Sequence, residues 1–94
     1  MKVPLTINDF LDRAALVYPD RVAIVDEPDQ PAPPLPDLTW RQVADRRRQM
    51  GVAMDAMGLK IGARVAVASP NAARFLMLYY GVCGNGRILV PINW

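Results

Sequence analysis

The sequence predicts an α/β fold: a parallel βαβ unit at its C-terminal end, two further helices and a short N-terminal strand pair. Three observations point to it. Arg64–Ala68 and Ile88–Val90 are short runs without polar alternation, as expected of strands with both faces covered in a parallel sheet. Between them, Ala72–Cys83 is apolar almost all round, with Arg74 its only charge. Parallel neighbours need such a crossover, usually a helix, and the crossover is right-handed. Breakers separate the pieces: Ser69-Pro70-Asn71 before the helix and Gly84-Asn85-Gly86 after it. Pro91 is expected to limit the ladder of the second strand. A helix apolar on every side is normally buried on every side. The 94 residues leave too little chain to surround this one, so a larger structure is expected.

The N-terminal half supplies the remaining elements. Thr6 to Tyr18 reads as a helix, with Thr6 as N-cap and Asp9 suited to the positive end of the helix dipole. Leu5 and Phe10 have the spacing of a hydrophobic staple. Phe10, Leu11, Ala14, Ala15 and Tyr18 form the apolar face, and Pro19 ends the helix. Arg21–Asp26, RVAIVD, is β-branched and flanked by turn residues, so it reads as a strand. Residues 27–37 carry five prolines and three acids and read as an exposed, extended loop. Its PxxP spacings could suit a polyproline-binding partner, but no arginine stands beside them, and a surface connector is preferred. Leu38-Thr39-Trp40 can form a brief strand. Thr39 and Gln42 then have capping-box spacing for a helix running to Met57, whose apolar stripe is Val43, Met50, Ala53, Met54 and Met57. Gly58 suits the left-handed position beyond that helix.

Composition narrows the function classes. The hydrophobic fraction is 52% and the net charge +2. Residues 1–40 hold three basic and seven acidic side chains, and residues 41–94 eight and two. The basic half carries no nucleic-acid motif and no aromatic interleaving, so nucleic acid is not an expected partner. The single cysteine, Cys83, excludes an internal disulfide and, without any histidine in the chain, reads as a core thiol rather than a nucleophile. The longest apolar run is too short to span a bilayer. Met1-Lys2-Val3-Pro4 lacks an apolar signal core. A cytoplasmic protein without a transmembrane segment is expected.

Candidate sites are few. Ser69-Pro70-Asn71 lies at the carboxyl end of a strand and the start of a helix, where α/β sheets bind ligands and helix N-termini attract anions. Asn71 is equally an N-cap, and capping is the preferred reading. Gly81, Gly84 and Gly86 give G-x-x-G-x-G, but a phosphate loop follows a strand and opens a helix. These follow a helix and open a strand, so helix stop and turn is preferred. Arg46-Arg47-Arg48 points in three directions, which suits a solvated face better than a phosphate site. Asp26, Glu27 and Asp29 are expected on a flexible loop, unsuited to tight metal binding or paired acid–base work. No residue is therefore assigned a catalytic, cofactor-binding or metal role.

Four stretches in order resemble a known family. They are YPDRVAIVD (Tyr18–Asp26), LTWRQVADRRRQMGVAMDAMGL (Leu38–Leu59), IGARVAVASPNAARFLMLYYGV (Ile61–Val82) and GRILVPINW (Gly86–Trp94). Together they resemble the N-terminus of the AMP-forming acyl-CoA synthetases and their adenylate-forming relatives. The PINW ending resembles the acyl-CoA synthetase branch more than the adenylation domains of peptide synthetases. The resemblance implies a partial N-terminal subdomain, residues 1–94, whose partner is the remainder of the ligase domain. It implies that the full-length protein activates a small-molecule carboxylate with ATP and Mg²⁺ and passes the acyl group to coenzyme A. The family's phosphate loop, nucleotide contacts, hinge and catalytic lysine belong to later segments, so none is carried onto a residue here. The segment alone is expected to bind no cofactor and to be inactive. The matching positions Arg46, Gly58, Pro70, Asn71, Pro91 and Asn93 look structural in the family. Ala63 departs from it, where an acidic residue is common, and the Pro-rich loop is longer than usual. The alternative from another class is a small non-catalytic α/β interaction module.

Overall fold

The computed structural model describes residues 6–92. The order of elements is α1 (Ile7–Val17), β1 (Val22–Ile24), β2 (Leu38–Thr39), α2 (Trp40–Ala56), β3 (Arg64–Ala68), α3 (Ala73–Cys83) and β4 (Ile88–Ile92). The expected staple partner Leu5 lies outside the described residues, as do Asn93 and Trp94.

The βαβ unit has the expected parallel pairing. β3 and β4 pair in parallel, from Arg64 opposite Ile88 to Ala68 opposite Ile92, with α3 between them in the chain. β4 does not stop before Pro91, which sits opposite Val67 inside the ladder. The direction of the amides explains this. Ile88 donates its N–H to the Ala63 carbonyl at 2.9 Å, and N–H groups along a strand alternate between edges. The N–H that Pro91 lacks would face the outer edge of β4, so no β3–β4 bond is lost.

The sheet is covered on one face. Val65, Val67 and Leu89 are half-buried, while Arg64, Ala66 and Ala68 and the facing Ile88, Val90 and Ile92 are exposed. The expectation of two covered faces therefore fails within these residues. α3 is likewise not buried all round: Ala73, Met77, Gly81 and Val82 are buried, whereas Leu76 and Tyr79 remain 41% and 45% exposed.

The first strand is shorter than expected, because the antiparallel pairing of β1 with β2 is irregular between Val22 and Ile24. The two join the core under α1 and α2. That core contains Leu11, Ile24, Leu38, Val43, Ala44, Ala73 and Met77, with Trp40 and Tyr80 packed against it. α1 turns a different face inward from the one its apolar spacing suggests. Leu11 is fully buried between half-buried Ile7, Asn8, Ala14 and Ala15, while Phe10 is 65% exposed and Tyr18 also lies outside. Asn8 is the reason: its side-chain amide donates to the Gly84 carbonyl at 3.0 Å, and its oxygen accepts from Arg47 at 3.0 Å.

In α2 the buried residues are Val43, Ala44, Gly51 and Met54, and the expected Ala53 and Met57 are exposed. Both α1 and α3 pack on this helix, so its inward arc is wider and turned toward the small residues Ala44 and Gly51. Thr39 and Gln42 make the expected capping box. A second box closes α1, where Asp9 accepts from the Thr6 N–H at 2.7 Å. Gly58 takes the expected positive φ of 78°.

Candidate functional site

The carboxyl end of β3 is built differently from its sequence. α3 begins at Ala73, with Ala72 as the extended N-cap residue and no side-chain bond from it. Asn71 is exposed and one position too early to cap. The cap comes from Asp26, far away in the chain. Its Oδ1 accepts from the Ala73 N–H at 2.8 Å and from the Glu27 N–H at 2.9 Å. Its Oδ2 accepts from the Leu35 N–H at 2.7 Å. Asp26 is thus a buried anchor rather than part of a flexible acidic loop. The amide of Ala73, then that of Leu35, holds its carboxyl at about 2, well below the ordinary 3.8.

This arrangement bears on phosphate binding. A helix N-terminus attracts anions through its free N–H groups and its dipole, and here a carboxylate already stands at the first of them. A phosphate would meet that negative charge. A small cleft of about 190 Å³ does lie beside it, between Pro31 and Ala32 of the loop and Ser69 and Pro70. Arg74 lines it too, but the N–H group that would receive an anion at the start of α3 is already taken by Asp26. Among the described residues, no group of three or more acidic, cysteine or histidine side chains could hold a metal ion.

The glycines behave as punctuation. Gly84 is the C-cap of α3, and Gly86 turns the chain into β4 with a φ of 75°. Gly84 has a packing role as well. A Cβ there would lie 2.6 Å from Asn8 Oδ1 and 2.9 Å from Arg47 Cδ, so only hydrogen fits. Asn85, next to it, donates to the carbonyls of Arg47 and Gly81 at 2.9 and 2.6 Å.

The arginine run divides three ways. Arg48 pairs with Asp45 on the surface. Arg47 points inward, with 13% of its side chain exposed, and reaches Asp12 at 2.8 Å and Asn8. A solvated face is therefore wrong for Arg47, the residue that ties α1, α2 and the α3 turn together. Arg46 lies at the rim of an open groove of about 500 Å³ between α2 and α3. Met50, Ala53, Met77 and Leu78 line it, Leu35 from the Pro-rich loop forms one wall, and Arg74 is the second cation. Arg74 also donates to the Pro33 carbonyl at 2.9 Å, which holds the loop beside the groove. Sequence reasoning gave this groove no role. The one available signal was Arg74, the lone charge in an otherwise apolar helix.

The fold is that of the N-terminal part of adenylate-forming domains, and the chain belongs to the AMP-binding enzyme family, whose family model matches residues 11–94. Two relatives resemble it along nearly its whole length. A probable acyl-activating enzyme 21 of Arabidopsis thaliana is 33% identical over 97% of this chain and 15% of its own. A 3-methylmercaptopropionyl-CoA ligase of Ruegeria pomeroyi is 33% identical over 99% of this chain and 17% of its own. Among solved structures, the N-terminal subdomain of Klebsiella oxytoca NpsA superposes with a TM-score of 0.77 at 20% identity, covering 94% of this chain and 21% of that one. This chain therefore spans about one sixth of the length of the relatives it matches. No helix among the described residues is long and apolar enough to cross a membrane.

Proposed function

We propose that residues 1–94 are the N-terminal part of an ATP-dependent, AMP-forming acyl-CoA synthetase. The full-length protein would convert a carboxylic acid to an acyl-adenylate and then to an acyl-CoA, using ATP, Mg²⁺ and coenzyme A. One observation carries the reading: a relative named as a CoA ligase aligns with nearly all of this chain yet extends far beyond it. The chain's own chemistry agrees, since the N-terminus of α3, beside a cleft, is filled by Asp26. In this reading the segment contributes a scaffold, and the reacting groups come from the remainder of the domain.

The open face of the β3–β4 sheet suits this role better than that of a free-standing interaction module. Ile88, Val90 and Ile92 expose one apolar row, and such rows are buried when further layers are added. The experiment is a comparison of two proteins. The full reading frame, given ATP, Mg²⁺, coenzyme A and a panel of carboxylic acids, should release pyrophosphate and form an acyl-CoA detectable by mass. Residues 1–94 alone should release none. Acid-dependent turnover by the short chain would contradict the scaffold role, and a full-length protein inert toward every acid would favour the interaction module.

A further inference from the structure

We draw no further inference here: the strongest candidate, the open apolar groove between α2 and α3 rimmed by Arg46 and Arg74, lies in a chain that spans about one sixth of the length of its relatives, and nothing in the structure shows what covers it.

Discussion

Asp26 is the residue on which most of the local order depends, because three backbone N–H groups from two segments converge on one carboxylate. Replacing it with Asn keeps the shape but substitutes donors for one acceptor oxygen. In Asp26→Asn, hydrogen exchange at the amides of Leu35 and Ala73 should accelerate, while the amides of β3 stay protected. The same bonds set a pH response. The folded value of about 2 lies below the ordinary 3.8, so the contribution is complete above about pH 4 and is lost as the pH falls through about 2. The protection of the Ala73 amide, relative to its intrinsic exchange rate at each pH, should fall across that interval in the native protein and show no such step in the Asn variant. Gly84 offers a second residue-scale test. The Tyr80 carbonyl, Asn8 and Arg47 leave no room for a methyl group, so Gly84→Ala should cost about 1–3 kcal/mol by overpacking. A urea denaturation midpoint equal to that of the native protein would show that the turn itself, with the Tyr80 carbonyl, can shift to make room.

At the scale of elements, apolar runs and breakers were legible, and long-range polar contacts were not. The strands 64–68 and 88–90 and the helix between them follow from unbroken apolar stretches and their turns. The Thr39–Gln42 box follows from local spacing alone. What failed were the inferences that turned on a polar contact or a pairing edge distant in sequence. Nothing near residue 26 announces that it caps a helix starting at residue 73. α1 is turned by Asn8 and Arg47, which hydrophobic periodicity does not count. Pro91 was misread because a missing N–H matters only on the paired edge, and the pairing direction is a tertiary fact. In the proposed reading the reacting groups belong to later segments, so the weak signals at Ser69–Asn71 and the glycines resolve into turns and caps. The revised face of α1 is testable. Leu11→Ala should destabilise by about 2–5 kcal/mol as a cavity mutation, whereas Phe10→Ala, at 65% exposure, should change stability far less. The reverse order in urea unfolding would restore the face that periodicity suggested.

For the molecule as a whole, the open side of the sheet governs behaviour in isolation. Ile88, Val90 and Ile92 are 50%, 38% and 51% exposed, and covering them would contribute about 1 kcal/mol each. Leu76 and Tyr79 add a second apolar site, one turn apart on α3. Against a total stability of about 5–15 kcal/mol for a whole domain, these are large fractions. Residues 1–94 expressed alone should self-associate or bind a hydrophobic dye, as seen by sedimentation and by fluorescence enhancement. A monomer that melts cooperatively without dye binding would show that the segment is sufficient by itself. The Asp26 clamp also imposes an order on synthesis. Its partner amide lies 47 residues later, which at about 5–20 residues per second leaves the ribosome about 2–10 s after Asp26 itself. Through that interval the Pro-rich loop has nothing to close onto, so a chaperone or protease meets the nascent N-terminal half with its strap undone.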